Sequence, residues 1–329
     1  MSKGIGRLFQ VGIARETTRG TAISSAAYWI PFSELALEEK DTKVVDDMSY
    51  GVIEDTQGQS IIKQWAEGKL KAPIGDRHFP LILYSVLGSL STGANADASG
   101  NVKDHTITVG QTAQHQSLTY FLDDPLASAD YKHANGVATS LEINYEMGKF
   151  LEYSLNIKAQ KGVSTTNTPS TTAENRFLPQ HVTFKLASSY SGLGAASAQI
   201  IKSLSLKFDN NIEDDYVLGS VAPADFLNKQ FMIEGTLEAM WQNESDFKTF
   251  VLAGTSKAMR IDIVNSDVTI GTSANPEIKI DLAKVVFEAV TRPIKVNDMV
   301  KQTLNFKAHY SQTDTKMVQI VATNLITSY

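Results

Sequence analysis

Apolar and polar residues alternate along most of this chain. The alternation runs through residues 142–147 and 151–158, and it returns in the second half over residues 204–209, 278–283 and 303–310. A period of two places one face of a strand on a core and the other on water or a polar partner. The pattern therefore predicts a mainly β protein with mostly antiparallel strands.

A short motif occurs twice. The sequence EGKLKA at residues 67–72 is followed, 167 positions later, by EGTLEA at residues 234–239. Each copy precedes apolar residues at helical spacing, which end at Gly88 in the first half and at Gly254 in the second. A strand leading to one short helix at matching places predicts two tandem copies of one module. Each module is expected to be a β-sandwich or open barrel with one short flanking α-helix.

The repeat suggests how the chain is divided. We expect an N-terminal arm at 1–35, a first module at 36–162, a linker and connecting segment at 163–198, and a second module at 199–329. The arm contains an apolar patch that ends at Pro31, and the linker is rich in Ser and Thr. A length of 329 residues accommodates two domains of about 150 residues, each large enough to bury a core.

Composition excludes several classes of protein. Hydrophobic residues make up 42% and charged residues 20%, as in ordinary folded proteins, and the net charge of −6 argues against a broadly basic nucleic-acid binder. The absence of cysteine removes disulfides, thiolate catalysis and cysteine zinc sites. There is no membrane-spanning apolar run, and residues 1–14 lack the core of a secretory signal, so we expect synthesis and folding in a cytoplasm without membrane insertion.

Candidate catalytic chemistry is sparse. The six histidines are scattered, and the phosphate-loop, nucleophile-elbow and dinucleotide motifs are missing. Asp123 and Asp124 are typical of a turn, and residues 243–245 fit a glycosylation sequon but are better interpreted as a helix N-terminus. We therefore expect no enzyme activity, cofactor or metal. A hydrolase without a recognisable motif stays a minor alternative.

The polar faces of the predicted strands suggest association. They carry eight carboxylates and six lysines, a balance of −2, so a polyanion sliding past would meet little net attraction. Such a face could line a wet channel, and a merely solvated face is the alternative. The residues predicted to line the channel are Glu67, Lys69, Lys71, Glu142, Asn144, Glu146, Glu152, Lys158, Lys207, Asp209, Glu234, Thr236, Glu238, Lys279, Asp281 and Lys307.

Five segments follow one another in a set order: residues 12–22, 204–220, 233–237, the helix predicted at 244–254, and Arg292-Pro293-Ile294. In this order they resemble the major tail tube proteins of long-tailed, siphovirus-like bacteriophages, here of a type with a duplicated module. The resemblance implies a structural virion protein whose stacked rings form a hollow tube that conducts the genome during ejection. A four-stranded sheet from each module would line the lumen.

In that family, the loop between the first two strands of the sheet stacks onto the next ring. The corresponding loops are residues 44–59 and 213–230, and long loops of this kind are often functional. The resemblance assigns ring stacking to Asp47, Tyr50, Val52, Asp214, Tyr216, Leu218, Val221 and Phe226.

The resemblance also implies partners and an oligomer. Six positions in a ring would be filled by three two-module chains, which predicts a homotrimer with pseudo-sixfold symmetry. The expected partners are other copies of the chain, tape measure, tail terminator and tail-tip proteins, and double-stranded DNA that passes without specific binding. Assembly in the host cytoplasm into a virion tail is expected. The sequence leaves open a flexible tube or the inner tube of a contractile tail.

The alternative function is a carbohydrate- or receptor-binding β-module of a phage tail tip or cell-surface assembly. It would place exposed aromatic residues such as Tyr120, Tyr131 and Tyr190 on one concave surface.

Overall fold

The computed structural model describes residues 4–126, 129–240, 248–292, 294, 296–297 and 299–329. Its first half contains β1 (Gln10–Arg15), β2 (Tyr28–Ile30), β3 (Glu34–Asp46), β4 (Gly58–Pro73), α1 (Phe79–Leu87), β5 (Gly88–Ala94), β6 (Lys103–Val109), β7 (Leu118–Asp123), β8 (Asp130–Glu146), β9 (Glu152–Ala159) and β10 (Val163–Thr165). Its second half contains β11 (Val182–Ala187), β12 (Ala198–Gln199), β13 (Ile201–Asp209), β14 (Glu213–Asp215), β15 (Asp225–Leu227), β16 (Met232–Met240), α2 (Lys248–Leu252), β17 (Lys257–Val264), β18 (Glu277–Thr291), β19 (Lys301–His309) and β20 (Val318–Asn324). Short 3-10 turns occupy Gly6–Leu8, Pro179–His181 and Tyr190–Gly192. The mainly β class predicted from the alternation is confirmed.

Eight antiparallel strands form one sheet that runs through both halves of the chain. Their order is β3-β4-β9-β8-β13-β16-β19-β18. At its centre, residues 140–146 of β8 pair with residues 203–209 of β13. The two halves are therefore joined by a ladder of main-chain hydrogen bonds as well as by the linker.

Strand pairing repeats between the halves. The first four strands of the eight-stranded sheet, β3-β4-β9-β8, have the same connectivity as the last four, β13-β16-β19-β18. A second layer repeats as well, with β2-β1-β7-β8-β10 matching β12-β11-β17-β18-β20. The long strands β8 and β18 take part in both layers. The hairpins β5–β6 and β14–β15 have no counterpart in the other half of this pairing scheme.

The repeat includes a shared irregularity. The register of β8 against β9 shifts between Ala138 and Ser140, and that of β18 against β19 shifts between Phe287 and Ala289. A bulge of this kind bends a strand. Both bulges lie where the strand leaves one layer for the other, so they occupy equivalent positions in the two modules.

The strand equivalence places the module limits elsewhere than the sequence does. β1 pairs with β2 and β7, so residues expected to form an arm belong to a sheet. β11 is the counterpart of β1 and lies in the segment expected to be a linker. We therefore favour modules of about 10–165 and 182–324.

The remaining connection is packed rather than loose. The Glu174 carboxylate lies 2.8 Å from Nδ1 of buried His78, Asn175 donates to Asp76, and the Phe177 side chain is buried. The segment therefore contributes to the core of the first module.

The two predicted helices differ in how far they can be compared with the structure. α1 ends at Gly88, whose positive φ of 88° is the left-handed conformation that glycine adopts readily, as the sequence predicts. α2 is described from Lys248 to Leu252, and Phe250 packs edge-on against Phe287. The predicted helix start at 244, Phe247 and the 243–245 sequon lie outside the described residues, as does Pro293.

Candidate functional site

A row of charged and polar side chains crosses the polar face of the eight-stranded sheet. The pairing registers place Glu34, Lys71, Ser154, Glu142, Lys207, Glu234 and Lys307 side by side on seven successive strands. Carboxylates and lysines largely alternate along this row. The Lys307 ammonium lies 2.9 Å from Glu234, and the Lys71 ammonium lies 2.9 Å from Glu152 in the next row. Most charges on this face therefore have a neighbour of opposite sign.

Fourteen of the predicted channel residues share this face. They are Glu67, Lys69, Lys71, Glu142, Asn144, Glu146, Glu152, Lys158, Lys207, Asp209, Glu234, Thr236, Glu238 and Lys307. The placement brings residues from both halves onto one continuous surface.

Lys279 and Asp281, which were predicted to line the channel, do not lie on this face. They belong to the part of β18 that pairs with β17 and β20 in the other layer. Asp281 is only 3% exposed and accepts two hydrogen bonds from Arg260, at 2.6 and 2.8 Å. The alternation changes phase within β18: Ile280 and Leu282 are buried before the change, and Val285 and Phe287 are buried after it. This change of phase at Leu282–Ala283 is the sequence signal that the strand passes from one layer to the other, and it was overlooked.

Two acidic residues of the face were missed. Glu34 lies opposite Lys71 and Glu38 lies opposite Glu67 on β3. Both belong to the alternating segment 34–38, which the expected arm boundary cut in two. Two lysines were missed as well, Lys40 on β3, 2.7 Å from Glu38, and Lys301 on β19, 3.1 Å from Glu238. With these four residues the face carries nine carboxylates and seven lysines among the residues named, so its balance of −2 equals the predicted one.

One end of the sheet extends into an exposed hairpin. β3 and β4 continue well beyond the edge of β9, and residues 47–62 are all exposed. Three of the predicted stacking residues, Asp47, Tyr50 and Val52, lie near its tip. The Tyr50 hydroxyl donates to Asp46 at 2.6 Å, and this bond raises the pKa of Tyr50. Exposed apolar side chains at such a tip are typical of a contact surface.

The equivalent loop of the second module behaves differently. It folds back across the first module, where Asp214 accepts from Lys158 at 2.7 Å and the Val221 carbonyl accepts from the Gln64 amide at 2.8 Å. The Lys63 ammonium lies 4.4 Å from the centre of the Tyr216 ring. Leu218 and Val221 are exposed, as the stacking prediction requires.

The prediction that Phe226 takes part in ring stacking is wrong, because its side chain is 0% exposed. Arg19 holds the segment in place by donating to the Asp225 carboxylate and to the carbonyls of Phe226 and His115. Phe226 is therefore part of the intramolecular packing and cannot contact another ring.

The opposite end of the sheet also exposes apolar side chains. The turns that connect β8 to β9 and β18 to β19, and the start of β13, all lie at this end. Their exposed residues are Met147, Phe150, Ile200, Ile294, Val296 and Met299. The sequence analysis did not single them out, because each turn contributes only one to three such residues.

The described ranges also bear on the alternative chemistries. Within them, no group of three or more His, Cys, Asp or Glu side chains could hold a metal ion. Tyr120 is 1% exposed, so it cannot join Tyr131 and Tyr190 on a sugar-binding surface. No helix among the described residues is both long enough and apolar enough to cross a membrane.

The comparisons with known proteins agree with the resemblance. The family model described as Phage tail tube protein matches residues 6–308, nearly the whole chain. This match assigns the protein to the structural components of bacteriophage tails. The chain belongs to the phage tail tube protein family. No curated protein matches it.

Proposed function

We propose that three copies of this chain close into a ring, and that stacked rings form the hollow tail tube that conducts the genome into the host. The observation that carries the proposal is the eight-stranded sheet, which has one polar face and two open edges. Tape measure, terminator and tip proteins would contact the lumen and the ends of such a tube.

The two open edges are complementary. Among the described residues, β3 pairs with β4 alone, and residues 286–291 of β18 pair with β19 alone. Open edges of this length invite further strand pairing. Pairing β3 of one chain with β18 of the next satisfies both edges and repeats head to tail, which is the geometry of a closed ring.

The seam inside the chain provides a template for the seam between chains. β13 is equivalent to β3 and β8 is equivalent to β18, so the β8–β13 register can be transferred. In β8–β13, Lys207 lies opposite Glu142 and Asp209 lies opposite Ser140. The transferred register places Glu38 opposite Thr291 of the next chain, and Lys40 opposite its Ala289.

A ring of three chains would contain six equivalent sheets closed into one barrel. Closure by strand pairing favours a barrel that has no edges. Its polar face would point inward, since the apolar side of the sheet is covered by the second layer of strands. An acidic lumen repels DNA phosphates weakly, which supports passage without binding.

Cysteine pairs test both the seam and the number of chains. The chain has no cysteine of its own, so Glu38→Cys with Thr291→Cys gives a clean background. Oxidation should link neighbouring chains covalently, and the linked species should increase in size up to three chains and no further. Glu39→Cys with Thr291→Cys is the matched control, because successive strand residues point to opposite faces. A ladder that reaches six chains, or no crosslink in rings seen by electron microscopy, would refute the trimeric seam.

A further inference from the structure

We propose that rings are held together by the hairpin of the first module alone, which binds the apolar end of the next copy. The exposed hairpin is defined as residues 44–62. The apolar rim is defined as Met147, Phe150, Ile200, Ile294, Val296 and Met299. The proposal rests on the ring-forming function above and replaces the expectation that both loops stack.

The two equivalent loops differ in how far they extend from the sheet. The loop of residues 210–231 is fixed beside Lys63 and Gln64 of β4. From Gln64 the exposed hairpin continues to Gly58 and its turn, about 20 Å further along the strand direction. A neighbouring ring that meets the hairpin tip is therefore held away from the fixed loop.

Polar contacts anchor the loop of residues 210–231 to the first module. Asp225 accepts from Arg19 and from the Asn135 side chain at 3.0 Å, and Asp214 accepts from Lys158. The Asn228 side chain contacts His115 at 3.2 Å. These partners all belong to the first module of the same chain, so the loop stabilises the seam between modules.

The hairpin tip combines acidic and exposed apolar side chains. Residues 46–57 contain four carboxylates and no Lys or Arg. Apolar side chains stand exposed beside them, namely Val44, Val45, Met48, Tyr50, Val52, Ile53, Ile61 and Ile62. Exposed apolar side chains concentrated on one hairpin are typical of a protein contact surface.

The partner that binds the apolar rim is a second copy of this chain. The exposed hairpin and the apolar rim lie at opposite ends of one sheet, and β4 alone spans about 50 Å. The hairpin therefore cannot reach the rim of its own chain. Stacking of identical rings in one direction brings the two ends together at every level. Lys202 and Arg292 are exposed and each lies two positions from a rim residue, Ile200 and Ile294 respectively, so they would face the acidic tip in such a stack.

Because each chain has one exposed hairpin, a ring of three chains would bind the next ring through three hairpins. A ring with six similar module positions would contact its neighbour at only three of them. The contact between rings would then have true threefold symmetry, even where the barrel wall is close to sixfold.

Crosslinking within assembled tubes tests the assignment. Ile53→Cys with Phe150→Cys is compared with Leu218→Cys with Phe150→Cys, because Ile53 and Leu218 are equally exposed at 103% and 104%. After treatment with a short bismaleimide, the Ile53 pair should give products larger than a ring, and the Leu218 pair should give none. Equal linking of both pairs, or linking of the Leu218 pair alone, would overturn the proposal.

A second measurement separates this proposal from the ring function. Ile53→Asp should leave rings intact by mass photometry and abolish tubes, whereas Leu218→Asp should still form tubes. If Ile53→Asp still forms tubes and the Ile53→Cys, Phe150→Cys variant does not crosslink, the role of the exposed hairpin is refuted. The proposed ring function would still stand. Wild-type protein that forms neither rings nor tubes would instead contradict the ring function itself.

Discussion

The guanidinium of Arg19 lies 2.8 Å from the carboxylate of Asp225, 206 positions away in the sequence. This contact joins the first turn of the first module to the loop of the second. Other ties join the same modules, namely the β8–β13 ladder, the pairing of β6 with β20, and Asp97, which accepts backbone hydrogen bonds from Thr272 and Ser273. The two modules are therefore tied together at several separate places as well as by the linker.

Replacing Arg19 by alanine should loosen the loop of the second module. The variant leaves Asp225 with Asn135 and removes three acceptor contacts of a partly buried guanidinium, which should lower the free energy of unfolding by about 2 kcal/mol. Urea denaturation measures the loss, and hydrogen exchange should quicken across residues 213–230. Arg19→Lys keeps the charge without the planar fork and should give an intermediate effect. Unchanged exchange in the loop would show that Arg19 does not anchor it.

Glu16 is expected to be the most sensitive polar residue of the first module. Its buried carboxylate accepts from the amides of Gly20 and Asn135 and from the hydroxyls of Ser117 and Thr119, at 2.6–3.0 Å. Glu16→Ala should cost about 3 kcal/mol or more, because buried donors lose their acceptor. Glu16→Gln keeps one carbonyl oxygen and should cost less. Equal stability of the alanine variant and wild type in urea would contradict this account.

The repeated glycines should be intolerant of alanine for one shared reason. A Cβ at Gly68 would lie 1.6 Å from the Ala36 carbonyl oxygen, and a Cβ at Gly235 would lie 2.4 Å from that of Ser205. Ala36 and Ser205 occupy equivalent positions on β3 and β13. Gly68→Ala and Gly235→Ala should each lower the melting temperature clearly, whereas Gly93→Ala, with open space around it, serves as the control. Normal melting of both variants would remove this explanation of the repeat.

That shared constraint explains why the sequence predicted the duplication. The motif around Gly68 and Gly235 keeps its register on the next strand, with Glu67 opposite Lys158 and Glu234 opposite Lys307. Local pattern was enough to find such strands and α1. Long-range pairing was not visible, so β1 was taken for part of an arm. The change of phase within β18 was visible but was overlooked. The anchoring of Phe226 depends on Arg19, far away in the chain, and no local pattern indicates it.

Stability should fall as pH rises through the titration of Asp262. Burial, together with the neighbouring carboxylate of Glu277, raises the pKa of Asp262 from 3.8 to about 6. The folded state then binds this proton more tightly than the unfolded state, so stability is greatest below pH 3.8 as far as this group is concerned and is lost up to about pH 6. Lys279 and Arg260 act in the opposite direction and reduce the effect.

Asp262→Asn should remove this dependence, because the amide does not ionise. We expect the melting temperature of the variant to exceed that of wild type at pH 8 and to approach it at pH 5. Asp55→Asn, in the exposed hairpin, is the control and should change neither value. The same difference between Asp262→Asn and wild type at both pH values would show that Asp262 does not carry the effect.

Charge reversal at Glu234 and Glu238 tests the polar face as a conduit. Both side chains lie on that face, paired with Lys307 and Lys301. Replacing both by lysine should leave tube assembly intact and slow the ejection of DNA, because new cations attract the passing phosphates. Added salt should restore the rate, since it screens this attraction but would not repair a misfolded subunit. The double Glu→Gln variant removes the carboxylates without adding cations and should be slowed less. Ejection at the wild-type rate from particles with normal tails would show that this face does not line the path of the genome.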